Sequence, residues 1–260
     1  MSRRGFTQML SLMLSACCLS YVTGSRIWAQ DQEEIRISVI DYPRPLVPAV
    51  RQIEEHFGRI VTYEDIRYLH ASDIVDATEK VSRSADKSKR IFQMRGGNIA
   101  LSYTPRPGTV DAQVEDVLQE VLAHSKAMGN AGGFRVERVS GGFHVVPTTT
   151  LAKSGAIAPY ISPLEARITL PPRSEDGLEM MVRLAEAVST GSGVTVNPGV
   201  MPMTRMARAR VVVGANNEPA RDVLWRALQS IGPDLSYELL CGVGETGTCG
   251  LSIHPVRLKR

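Results

Sequence analysis

The feature that most constrains this chain is an order of elements that occurs twice. In the first half, Ile35-Arg-Ile-Ser-Val-Ile40 alternates apolar and polar residues, as a half-buried strand does. Pro43 and Pro45 lead into a helix with the stripe Leu46, Ala49, Val50, Ile53 and Phe57, and Gly58 stands where a left-handed cap would close it. A strand at 59–63, a hairpin over 91–103 about Gly96-Gly97, a helix over 111–128 and a hairpin of 134–139 with 143–147 complete the half. The second half gives a strand over 164–170 closed by Pro171-Pro172 and a helix over 176–189. Short strands at 194–196 and 209–214, a helix capped by Asn217, and a closing hairpin of 235–241 with 250–254 follow. Both halves therefore read β-α-β-β-α-β-β. A helix with one apolar stripe has to cover something, so the expected fold class is α+β: two tandem units with helices packed on small mixed sheets. The expected division is a first unit at 31–147, a linker at 148–163 and a second unit at 164–260.

Residues 1–30 have the layout of an export signal. Arg3 and Arg4 form a basic end, no charge occurs from Gly5 to Ser25, and Ile27-Trp28-Ala29 offers a cleavage site. Leu14-Ser15-Ala16-Cys17 resembles a bacterial lipobox, which would make Cys17 a lipidation site; Ser2-Arg3-Arg4-Gly5-Phe6 resembles the start of a twin-arginine signal. Cleavage near Ala29 and lipidation at Cys17 both stay open. The expected location is the periplasm or cell envelope of a bacterium, with the membrane met only through the signal or a lipid anchor.

Charge narrows the partners. The formal net charge is +3, but Arg3, Arg4 and Arg26 lie inside the signal, and no acid precedes Asp31. The body left after residue 29 has 27 basic and 27 acidic side chains. Binding a polyphosphate backbone needs excess cation, so a nucleic-acid partner is not expected. Cys17 and Cys18 belong to the signal, leaving Cys241 and Cys249 on either side of a glycine-rich turn between two strands. In an oxidising compartment that placement favours a disulfide over half of a zinc site, for which no suitably spaced ligands exist.

Asn217-Glu-Pro-Ala-Arg-Asp-Val-Leu-Trp-Arg-Ala-Leu228, followed by Gly232 and Leu235-Ser-Tyr237, resembles the end of the short N-terminal (STN-like) domain of secretins and TonB-dependent receptors. The phrase from Pro45-Leu46 through Phe57-Gly58 to Ile60-Val-Thr-Tyr63 resembles its beginning. With Tyr63-Glu64-Asp65 it also resembles uncharacterised exported bacterial proteins. The resemblance implies a periplasmic docking module without chemistry of its own. No receptor plug or barrel follows, so the family's partners do not carry over.

Reactive constellations are sparse. The five histidines, His56, His70, His124, His144 and His254, stand singly and without metal spacing. His144 and His254 are expected on the solvent face of their strands. Gly242, Gly244 and Gly247 match a dinucleotide-loop pattern, but the segment leads into a strand and not a helix, so it reads as a turn. Glu64 and Asp65, with Asp73 and Asp76 near them, would suit acid-base work in an envelope hydrolase; the plainer reading is turn and cap residues. Arg205, Arg208 and Arg210, interleaved with Met201, Met203 and Met206, would dock an acidic partner or anionic lipid head groups, or else connect elements with the methionines packed and the arginines wet. The expectation is a non-enzymatic interaction protein without metal or cofactor, whose partner is another envelope protein. The alternatives are a hydrolase at Glu64/Asp65 and a small-ligand binder between the units.

Overall fold

The computed structural model describes residues 34–81, 90–244 and 247–259. The export signal expected from the sequence, with Cys17, lies outside them. Along the first half run β1 (Ile35–Tyr42), α1 (Leu46–Phe57), β2 (Ile60–Glu64), β3 (Ile74–Asp76), α2 (Thr78–Val81) and β4 (Phe92–Met94). They are followed by β5 (Gly97–Tyr103), α3 (Val110–Ala127), β6 (Gly133–Val139), β7 (Gly142–Leu151) and β8 (Ile157–Pro159). The second half has β9 (Arg167–Asp176), α4 (Gly177–Ser192), β10 (Val196–Pro198), α5 (Met203–Arg208), β11 (Arg210–Pro219), α6 (Ala220–Ile231), β12 (Leu235–Cys241) and β13 (Cys249–Pro255). The fold is α+β, with helices packed on small mixed sheets.

The strand pairings match between the halves. β1 pairs antiparallel with β5, and β9 with β11. β2 runs parallel to β7, which pairs antiparallel with β6; β10 runs parallel to β13, which pairs antiparallel with β12. In each half two long helices lie between the two-stranded ribbon and the three strands. The stripe predicted for α1 is buried, and the other helices bury Val114, Val117, Leu118 and Val121 of α3, Leu184 and Val188 of α4, and Val223, Leu224 and Leu228 of α6. Val182 of α4, expected inward from its spacing, is instead 47 % exposed. Gly58 closes α1 at φ 61, a conformation that costs glycine little because it has no Cβ.

Three local expectations are corrected. The segment 91–103 is not a hairpin: β4 pairs with β3 and β5 with β1, so the chain turns at Gly96 between two different sheets. Pro171 and Pro172 do not end a strand. They form a bulge inside β9, opposite Gly214, and β9 continues to Asp176. A two-stranded ribbon has open edges, where the missing proline N–H costs no ladder bond. Asn217 does not cap α6; it sits inside β11 at φ 53, and Pro219 precedes the helix with no side-chain cap.

One pairing joins the halves. β12 lies parallel to β2, with Glu238 beside Tyr63 and Leu239 beside Glu64. The result is a seven-stranded sheet in the order β10-β13-β12-β2-β7-β6, with β8 attached to β7. Val61 and Tyr63 of β2 belong to the core under α1 and α3, whereas Tyr237 and Leu239 of β12 belong to the core under α4 and α6. The helices of the two halves therefore cover opposite faces of one sheet.

Candidate functional site

That arrangement fixes where the central acids go. Residues paired across neighbouring strands face the same side. Glu64, beside Leu239, must point under the helices of the second half; Glu238, beside Tyr63, must point under those of the first. Each carboxylate is thus pushed out of water beneath a helix from the other half, and each meets an arginine there. Glu64 is 0 % exposed. It forms a two-point pair with Arg221 of α6, through Nε to Oε1 and through Nη2 to Oε2 at 2.9 Å. The Tyr237 hydroxyl donates to Glu64 Oε1 at 2.9 Å, and Arg221 Nη1 donates to Glu165 at 2.7 Å. On the other face Arg51 of α1 holds Glu238 at 2.6 and 2.8 Å. His254 of β13 reaches Glu54 of α1 at 2.8 Å, and Glu54 also accepts the Val61 amide at 2.9 Å.

Asp65 anchors the end of this seam. Its backbone N–H donates to Leu239 O at 2.8 Å, so the parallel pairing continues past the strand. Its carboxylate accepts from Arg44 Nε at 2.6 Å, from the hydroxyls of Tyr63 at 3.1 Å and Tyr68 at 2.9 Å, and from the amides of Ile66 at 3.0 Å and Cys241 at 3.3 Å. Arg44 also donates to Cys241 O. Cys241 and Cys249, both buried, end the β12–β13 ladder with sulfurs 2.04 Å apart, a disulfide bond. The turn they close touches the first half at Tyr68, whose O accepts the Gly244 amide at 2.9 Å.

Electrostatics follow from burial and pairing. Burial alone would raise the Glu64 carboxyl, but the Arg221 guanidinium outweighs it and holds the group below its ordinary value. Burial raises Asp65 above its ordinary value, with Arg44 and the tyrosine hydroxyls opposing it. Burial likewise drives the Tyr63, Tyr68 and Tyr237 hydroxyls well above 10, so all three remain donors. His144 corrects its solvent-face expectation. It is buried, its Nδ1 lies 2.6 Å from Thr62 Oγ1, and Trp225 of α6 packs edge-on against it at 5.2 Å. Burial lowers its pKa to about 4.

The seam thus gathers Glu64 and Asp65 but closes them off. Both carboxylates are fully buried, and the oxygens of each accept from donors of this chain. Asp76 lies on β3, while Asp73 lines a cavity together with Arg44, Tyr63 and Tyr68, three of the donors to Asp65. Sequence reading missed Arg221, Arg51 and Arg44. The one signal for Arg221 was a cation in the first turn of α6, flanked by Ala220 and Val223 on the apolar stripe; its partner is 157 residues away.

The Arg205 cluster divides. Arg205 pairs with Asp234 at 2.9 Å, while Arg208 and Arg210 are exposed. Met206 is fully buried, Met201 packs against the core, and Met203 is 59 % exposed. A groove of about 580 Å³ lies in the first half; Leu122, Lys126, Phe134, Thr149 and Ile157 are among the residues that line it. Among the described residues no cluster of three or more His, Cys, Asp or Glu is placed to hold a metal, and no helix is long and apolar enough to cross a membrane. No protein-family model, curated protein or solved structure matches the chain.

Proposed function

We propose that the chain is an exported, non-enzymatic protein of the cell envelope that works by protein contact, built from two STN-like units in tandem. The observation that carries this reading is the fate of the central acids. Glu64 and Asp65 are the best acid-base candidates in the sequence, and each is fully buried with its oxygens occupied by Arg221, Tyr237, Arg44, Tyr63 and Tyr68. A general acid or base has to reach a substrate atom within hydrogen-bond distance, and these groups have no open side. The signal-like residues 1–30 and the disulfide support export. The matched strand pairings of the halves support the tandem reading.

The proposed partner is an envelope protein, with no nucleic acid, metal or cofactor involved. The exposed Met203, Arg208 and Arg210 form the contact surface proposed for it. Photo-crosslinking tests this. A crosslinking residue placed at Met203 or Arg208 in the exported protein is expected to give one discrete adduct, reduced by Arg208→Glu. If neither position gives an adduct, or if Glu64→Gln abolishes a hydrolytic activity while the protein stays folded, the reading is wrong.

A further inference from the structure

The two ends of the seven-stranded sheet are treated differently. At one end β10 is only three residues long, and its outward groups are already used. The Val196 amide donates to Ser189 Oγ at 2.8 Å, the same hydroxyl donates to Val196 O at 3.3 Å, and Pro198 has no N–H to offer. Such features prevent another strand from pairing at an edge. At the other end β6 is seven residues long and, among the described residues, has no neighbour beyond it in the sheet. All seven residues of β6 keep some solvent exposure, while six consecutive residues of β7 beside it, from Gly142 to Pro147, are buried.

The sequence of this open strand, Gly133-Phe-Arg-Val-Glu-Arg-Val139, is complementary to itself when reversed. If a second β6 pairs antiparallel about a twofold axis at Val136, Arg135 of each copy faces Glu137 of the other. Gly133 then faces Val139, and Phe134 faces Arg138, an arginine that already lies over the Phe143 ring at 5.8 Å. Within one molecule Arg135 pairs with Glu137 along its own strand at 2.8 Å, with side chains 51 % and 32 % exposed, and Glu137 also lies 3.8 Å from Arg221. In the paired register both gain an opposite charge directly across, the arrangement that stabilises cross-strand neighbours. A shift of two residues, the smallest that keeps the same side chains on the same face, would set Arg135 against Arg135 or Glu137 against Glu137. The charges therefore select one register as well as one orientation.

We infer that β6 is a homodimerisation edge, on which a second copy of this chain pairs antiparallel about Val136 to give one sheet running through both molecules. An isologous contact of this kind closes on itself, and the blocked β10 edges keep the assembly from growing further. The inference does not depend on the identity of the envelope partner proposed above.

Sedimentation equilibrium of the full chain tests it, with thermal melts confirming that each variant is folded. The wild type is expected to dimerise, with a Kd of roughly 1–100 μM for so small an interface. Arg135→Glu alone and Glu137→Arg alone each oppose like charges at both pairs and are expected to weaken the dimer at least tenfold. An equimolar mixture of the two restores both pairs and should dimerise like the wild type. Glu137 lies 3.8 Å from Arg221, so Glu137→Arg also risks the fold. Hydrogen exchange on the wild type supplies a second measurement: amides at 133–139 should gain protection with rising concentration while those of β10 do not. A wild type that stays monomeric, a mixture of folded variants that fails to associate, or a dimer that leaves 133–139 unprotected would each overturn the inference.

Discussion

Replacing Arg221 with methionine isolates the strongest electrostatic contact of the seam. Arg221 is 5 % exposed, and it is the only cation paired with Glu64 among the described residues. Methionine fills similar space on α6 but leaves Glu64 fully buried, with the Tyr237 hydroxyl and Ser162 as its remaining donors. Breaking a buried pair by removing one partner costs about 3–5 kcal/mol, because the other charge is left without compensation. A domain of ordinary stability has only about 5–15 kcal/mol in total, so urea unfolding should show a large fall in midpoint. The pH dependence supplies an internal check. Without Arg221, burial is opposed only by the Tyr237 and Ser162 hydroxyls and is expected to raise the folded-state pKa of Glu64 above its unfolded value. The carboxyl then goes neutral in the fold first, and the deficit of Arg221→Met should shrink as the pH is lowered toward 5. Adding Glu64→Gln removes the charge and keeps an acceptor for Tyr237, so the double variant should lie within about 2 kcal/mol of wild type. A loss under about 1 kcal/mol for the single variant, or a double variant costing the sum of the singles, would refute the reasoning.

Other consequences are simpler. Reduction should add two hydrogens to the mass. Cys241→Ser with Cys249→Ser should lower stability by about 2–3 kcal/mol for a loop this short, read from the urea midpoint. His144 titrates in the fold at about 4 against 6.5 when unfolded, so the unfolded chain takes up the proton first as pH falls. The stability its neutral form contributes is complete above 6.5 and lost progressively down to about 4, some 3 kcal/mol in all. His144→Gln should flatten that part of the stability–pH curve, and equal slopes for variant and wild type would count against its burial.

Much of the fold was legible because helix stripes are local. The spacing of Leu46, Ala49, Val50 and Ile53, or of Val223, Leu224 and Leu228, depends only on residues within one helix, and the burial follows it. Gly58 and the Cys241–Cys249 pair were legible for the same reason, since a cap and a hairpin crosslink are decided within a few residues. What escaped is non-local. Nothing within 91–103 says that β4 belongs with β3 and β5 with β1, because strand partners lie in distant sequence. His144 alternates like a surface residue, and only the arrival of α6, with Trp225, puts that face out of water. Glu64 and Asp65 were correctly singled out as unusual acids, yet their partners Arg221 and Arg44 sit 157 and 21 residues away. A buried charge announces that it needs a partner; its sequence does not say which one.

The account rests on the polar seam acting as a fastening between the halves, which makes 34–259 a single body. Hydrogen exchange under increasing urea measures this directly, through peptides covering β2 and β12. If Glu64–Arg221 and Asp65–Arg44 hold the halves together, the two strands lose protection at the same urea concentration, and both do so earlier in Arg221→Met. Protection of β12 lost well before that of β2, unchanged by the substitution, would mean that the halves fold apart and that the central acids are available for other work.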